Sequence, residues 1–220
     1  LPLRLQWHQP VTVLVCVLFL WPAPATAQLD KGLVVGWNNS EWIDPPNPTG
    51  GDVFESRNGF CAGMYLGGNF SKYFGLRTEA LYTQKGAKAV SPGTTGNGAS
   101  LGEVDTFYNV DYLEVPLLIT LVIPTGGAVR PMFLAGGAID FQLSATQEVR
   151  YPGGVQNDFG ANQALDTRTD TDFSWLFAGG VAIATGTKVI TLQVRYIVGT
   201  EEIYAAARNR TLSVMAGFGI

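Results

Sequence analysis

Val189-Ile190-Thr191-Leu192-Gln193-Val194-Arg195-Tyr196 is the stretch that decides the fold. Ile190, Leu192, Val194 and Tyr196 alternate with Thr191, Gln193 and Arg195. A period of two puts bulky apolar side chains on one face of a strand and polar ones on the other. An amphipathic helix would space them at three and four. The same rhythm recurs. Leu76, Thr78, Ala80 and Tyr82 alternate with Arg77, Glu79 and Leu81. Phe173, Trp175, Phe177, Val181 and Ile183 oppose Ser174, Ala178, Gly180 and Ala182. Leu212, Val214, Ala216, Phe218 and Ile220 alternate with Thr211, Ser213, Met215, Gly217 and Gly219.

Working outward, eight strands are expected, roughly over 31–38, 58–69, 74–86, 107–122, 130–143, 172–184, 188–199 and 210–220. Short turns alternate with long connections. The turns are Asn69-Phe70-Ser71-Lys72-Tyr73, Pro124-Thr125-Gly126-Gly127-Ala128-Val129 and Thr185-Gly186-Thr187-Lys188. The long connections, over 39–57, 87–106, 144–171 and 200–209, are rich in Gly, Pro, Asn, Asp, Ser and Thr, the chemistry of turns and loops. Short turns on one side and long loops on the other is the wiring of a transmembrane β-barrel. The expected fold is all-β: an eight-stranded antiparallel up-and-down barrel.

Solvent then follows from the faces. A soluble sandwich buries its bulky face and covers the other with Lys and Glu. Here the second face is mostly Gly, Ala, Ser and Thr with a few charges, and only 15% of the chain is charged, against about 25% in soluble domains. Small residues suit a crowded lumen, so the apolar face is read as facing lipid. Trp37, Tyr82, Phe141, Trp175 and Tyr196 fall near the long-loop ends of the expected strands. Phe74, Phe133 and Phe218 fall near the short-turn ends. Two lipid-facing aromatic bands match the girdles at headgroup level.

The chain opens with Arg4, an apolar run from Val11 to Trp21, Pro22 and Pro24, and Ala25-Thr26-Ala27. These are the parts of a secretory signal peptide. The run is shorter than the roughly 20 residues a spanning helix needs. The expected organisation is a signal over residues 1–27 and a barrel domain over 28–220. The only histidine, His8, lies in the leader. The exported chain would hold no Ser-His-Asp triad, Cys-His dyad or histidine metal site. Cys61 would remain as its single cysteine, so no internal disulfide is expected. Lys and Arg number 14 against 18 Asp and Glu, which argues against nucleic acid as a partner.

The polar face carries Arg77, Lys85 and Arg195 with Glu79, Glu114 and Asp140. An eight-stranded barrel leaves an interior just wide enough for side chains. Unpaired charge there is costly, so these six are expected to form a structural ion-pair network and not a pore or proton path. The alternate carboxylates Asp166, Asp170 and Asp172, with Asp158 nearby, could hold a hard cation. They lack the glycine and terminal glutamate of an EF-hand and are read as a solvated acidic loop. No catalytic residue, cofactor or metal is expected.

Thr78-Glu79-Ala80-Leu81-Tyr82-Thr83-Gln84-Lys85-Gly86 and Tyr112-Leu113-Glu114-Val115-Pro116-Leu117-Leu118 resemble two strands of the PorT-like outer-membrane β-barrel family. Arg130-Pro131-Met132-Phe133-Leu134-Ala135-Gly136-Gly137 and Arg195-Tyr196 fit the same pattern. The resemblance covers most of 31–220. It implies an OmpX/OmpA-like eight-stranded barrel in the outer membrane of a Gram-negative bacterium, with no shared catalytic residues; some members are linked to protein secretion. Pro116 lacks a ladder donor, so a bulge or missing pairing is expected there. The family usually ends in an aromatic residue. This sequence ends Phe218-Gly219-Ile220, and the stripe of Leu212, Val214, Ala216 and Phe218 is the alternative insertion signal.

The leading expectation is a non-enzymatic barrel that contacts outer-membrane lipid and, during insertion, the barrel-assembly machinery. Its long loops face outside and offer a surface to a protein partner, in envelope integrity, adhesion or secretion support. The alternative is a soluble periplasmic or secreted lipocalin-like barrel binding a small apolar ligand. A lipid-modifying enzyme, the third reading, lacks its usual histidine.

Overall fold

The structure is a computed structural model that describes residues 29–43, 53–94, 100–151, 163–165, 167, 169–203 and 207–220. The expected signal peptide, Asp158 and Asp166 lie outside those residues. The strands are β1 (Leu29–Ile43), β2 (Val53–Asn69), β3 (Phe74–Thr94), β4 (Ser100–Val122), β5 (Val129–Arg150), β6 (Gln163–Ala164), β7 (Thr171–Thr185), β8 (Lys188–Gly199) and β9 (Arg208–Gly219). Every pairing is antiparallel, and each long strand pairs with the next in sequence. β9 pairs with β1 from Gly32↔Gly219 to Ile43↔Arg208, which closes the sheet into a barrel. The eight expected strands are all present. β6 is an addition, a two-residue piece on β5 at Thr146↔Ala164 and Gln147↔Gln163.

The three short turns sit where the composition puts them. Ser71 Oγ accepts from the amides of Tyr73 and Phe74. Gly126 and Gly186 hold φ of 76° and 63°, the left-handed region that tight turns use and that side chains resist. At the other end the expected boundaries are corrected. β3 runs on to Thr94, β4 begins at Ser100 and β5 runs to Arg150, so much of the expected loops 87–106 and 144–171 is paired sheet. Ladder hydrogen bonds need only backbone, so polar side chains with no lipid or core face can still extend a hairpin.

Pro116 pairs with Ala138 on β5. On β3 the ladder passes from Thr78↔Leu117 to Leu81↔Glu114 without a break in register, and the two intervening pairings are absent. Thr78 Oγ1 donates to the Pro116 carbonyl at 3.0 Å instead. The proline thus costs pairings on one side only. Register shifts lie elsewhere: at Ser56–Cys61 of β2 against β3, at Gly93–Thr94 of β3 against β4, and between Asp111 and Tyr112 of β4 and their β5 partners, where β5 carries an extra residue, Leu143, that faces outward.

Sidedness is decided by exposure. Leu33 is 61% exposed, Val35 58%, Ile119 57% and Val214 51%, while Arg195, Asp140 and Asn38 are at 0%. A continuous apolar exterior around a charged interior fits lipid as the outer solvent and not water.

Candidate functional site

The bore of the barrel is built in layers from the inward positions of the period-2 pattern. Arg195 on β8 lies opposite Ala178 of β7 and Ser213 of β9. Those small neighbours leave room for the guanidinium to cross the bore to Glu79 on β3. Arg195 Nη1 donates to Glu79 Oε2 at 2.6 Å and Nη2 to Oε1 at 2.7 Å, the bidentate fork that makes Arg–carboxylate pairs strong. Arg77 Nε donates to the same Oε1 at 2.7 Å, and its guanidinium lies 3.7 Å over the Tyr65 ring. One carboxylate therefore holds two arginines.

Farther toward the long-loop end a second cluster has the opposite imbalance. Glu114 pairs directly across the ladder with Asp140, and Asp140 directly with Asp172. Like charges opposite each other repel. Lys85 enters between the first two, donating to Asp140 Oδ2 at 2.8 Å and lying 2.9 Å from Glu114 Oε2. Ser174 Oγ adds a bond to Asp140 at 3.2 Å, and the Glu201 amide donates to Asp172 Oδ1 at 3.0 Å. Asp172 corrects the sequence reading: it is 1% exposed on the inner face of β7, not part of a solvated loop. Its place was legible, since it continues the alternation of Ser174 and Leu176. Among the described residues no group of side chains is arranged to hold a metal ion.

Above this lies a layer in which Trp42, Phe54, Ala87, Leu165, Ile203 and Ala207, from runs read as loops, meet Tyr108, Val110 and Tyr112 of the expected fourth strand. Trp42, Phe54 and Tyr108 pack together, with the Trp42 ring tilted against the other two at 4.6 Å from Tyr108 and 6.1 Å from Phe54 between ring centroids. Ala87, Leu165 and Ala207 pack on them, and Val110, Tyr112 and Ile203 form an adjoining group. Two aromatics, Trp42 and Phe54, in a run rich in Gly, Pro, Asn and Asp were the available signal. This apolar cap fills the bore at its outer end.

The outward aromatics divide by height. Trp37, Trp175, Tyr196, Phe74, Phe133 and Phe218 are each well exposed on the outer face, with Tyr82 and Phe141 half-buried beside neighbours. Phe60, not singled out in the sequence, stacks on Tyr82 at 5.5 Å. On β3 to β5 the upper group stands well below the strand ends, because those strands extend beyond it.

A lipocalin-like barrel needs an apolar pocket inside and a polar coat. Here the bore is charged and the apolar side chains point out: an apolar space of about 490 Å³ lies against Leu33, Met64, Leu66, Ala80, Leu113 and Val115, of which Leu33 and Met64 are well exposed, and a cavity of about 190 Å³ with mixed walls opens at the short-turn mouth.

No curated protein matches the sequence. Among solved structures, the chain superimposes on Neisserial surface protein A with a TM-score of 0.52 and 13% identity, over 88% of this chain and 97% of that one. OprG from Pseudomonas aeruginosa gives 0.42 and 10% identity, over 87% and 92%. Ail, the attachment invasion locus protein of Yersinia pestis, gives 0.41 and 12% identity, over 87% and 98%. At 13% identity the match to Neisserial surface protein A speaks to fold alone, and that fold is the eight-stranded outer-membrane barrel. Residues 27–202 match the family model described as outer membrane protein beta-barrel domain, and the chain belongs to that family, whose place is the cell outer membrane.

Proposed function

We propose that this protein is a non-enzymatic outer-membrane barrel that works through the surface it presents outside the cell, in adhesion, envelope integrity or support of a secretion complex. The observation that carries the reading is the paired extension of β3, β4 and β5 beyond the outward aromatics, which holds a polar platform clear of the lipid zone. Lys88 on that platform bridges Glu55 at 3.3 Å and Asp105 at 3.1 Å. Arg150 pairs with Glu148 at 2.7 Å. A rigid polar sheet of this kind suits a protein partner better than a mobile loop does, because less ordering entropy is lost on binding.

The six bore charges act as structural ion pairs. Glu79 is held by two arginines, and Glu114 and Asp140 by Lys85, so none is free to take or give a proton to a substrate. The PorT-like resemblance supports a link to secretion. Residues 1–27 serve as the signal, with cleavage after Ala27 expected in the mass of the mature protein. The outward aromatic bands seat the barrel in lipid, and the β9 stripe guides insertion.

Fractionation tests the reading. The protein should sediment with outer membranes and shift its gel mobility on heating. A Cys replacing Glu103 should react with an impermeant maleimide on intact cells, and one replacing Gly186 should not. Recovery in the soluble periplasm, or reversed labelling, would sink it. Crosslinking from residues 144–171 is the route to a partner.

A further inference from the structure

The two charge clusters leave the bore polarised. The layer nearest the short turns carries two arginines against one carboxylate, and the excess sits on Arg77. Arg77 is 5% exposed. Its Nε is taken by Glu79, but its Nη2 has no hydrogen-bond partner among the described residues. Arg77 lines a cavity of about 190 Å³ with mixed polar and apolar walls that opens at the short-turn mouth, and the Nη2 atom is buried beside it. Thr191 Oγ1, buried on the cavity wall, is likewise unpartnered among the described residues, and Thr120 lines it as well. Lys72 and Arg130, both exposed, stand at the rim. One carboxylate, Asp30, lines the cavity, and it accepts from the Tyr65 hydroxyl at 3.2 Å.

A buried guanidinium with an unsatisfied N–H is an expensive arrangement. What completes it must be an acceptor, and the donor set of guanidinium, hydroxyl and two rim cations selects an anionic one. Size narrows the choice. The space is below the roughly 300–1,000 Å³ of ordinary ligand pockets, so it takes a group of a few atoms. The cavity opens among the short turns, the periplasmic side of a barrel whose long connections lie outside, so access is from the periplasm.

We propose that the periplasmic mouth of the barrel is a binding site for a small free oxyanion of the phosphate or carboxylate type, held by Arg77 Nη2 and Thr191 Oγ1 with Lys72 and Arg130 guiding it in. The site is independent of whatever the external platform contacts. It places a ligand on the periplasmic side of a protein whose other surfaces face lipid and the medium.

The test is calorimetric titration of inorganic phosphate into the folded full-length barrel in detergent, at low and high ionic strength. One saturable site is expected, weakening as salt rises, with acetate competing. Arg77→Gln should lower the affinity about tenfold or more, the loss of a charge-assisted bond. Heat-dependent gel mobility checks that this variant is folded. If it is not, Lys72→Gln with Arg130→Gln, both at exposed positions, serves in its place and should weaken binding by several-fold and flatten its salt dependence. Absence of saturable binding to the unmodified barrel overturns the proposal. So does phosphate binding that Arg77→Gln, or the rim pair, leaves unchanged. Failure of the external surface to bind a protein partner would not bear on it.

Discussion

Lys85 is the residue on which the upper bore depends most. Glu114 and Asp140 are cross-strand neighbours, and only the ammonium 2.8 Å from Asp140 and 2.9 Å from Glu114 makes that pairing tolerable. Removing one partner of a buried pair leaves an uncompensated charge at a cost of about 3–5 kcal/mol, whereas removing the whole set can be close to neutral. Lys85→Met should therefore destabilise the barrel by about that amount, and Lys85→Met with Glu114→Gln and Asp140→Asn should recover most of the loss. Urea unfolding in detergent measures both, and equal destabilisation of the single and triple variants would refute the arrangement. The charges themselves could be picked out in the sequence because they alternate with outward positions that carry no charge, such as Leu76, Ala80 and Tyr82 on β3 and Leu192, Val194 and Tyr196 on β8. Which carboxylate meets which cation could not. Arg195 and Glu79 are 116 residues apart, and the register that brings β8 across from β3 is a property of closure, absent from either strand alone.

Gly86 shows how an element is shaped by one position. It lies on β3 just above Lys85, with φ at 139°, and a Cβ there would run into the carbonyl oxygen of Tyr108 on β4. Here β3 and β4 leave the ion layer and enter the extension that carries Ala87 and Tyr108 into the apolar cap. Gly86→Ala should cost about 1–3 kcal/mol through backbone strain and loosen the extension before the lower barrel. Hydrogen exchange should then rise first at amides of 87–94 and 100–108; a uniform rise would deny the extension any separate stability. Strand order and the short turns were legible in the sequence because apolar alternation and short runs of Asn, Ser, Pro, Gly and Thr are local signals. The upper halves of β3, β4 and β5 were not. Their outward side chains no longer meet lipid and their inward ones are mostly small, such as Ala87 and Ala89, so the bulky alternation that marks a strand fades while the backbone pairing goes on. Trp42 and Phe54, set among Gly, Pro and Asn, were the visible sign that this end also has an interior.

At the scale of the whole molecule the bore is shut twice, by different chemistry. The aromatic and aliphatic cap of Trp42, Phe54, Tyr108 and Ile203 closes the outer end. Below it the side chains of Arg195 and Glu79 span the interior with both groups fully buried, as an eight-stranded barrel's narrow lumen permits. Either seal alone is expected to block water and ions. The barrel should show no stepwise conductance in a planar bilayer. Trp42→Ala should destabilise it by about 3–5 kcal/mol through the cavity left in the cap, yet remain closed. Arg195→Ala with Glu79→Ala should remain closed for the converse reason, because the cap is intact. Conductance is expected only when the two changes are combined, and then the excess carboxylate of the Glu114, Asp140 and Asp172 row should favour cations. Steps in either partial variant would mean that the corresponding layer does not seal. Steps in the intact barrel would turn the ion clusters from filling into a gated path.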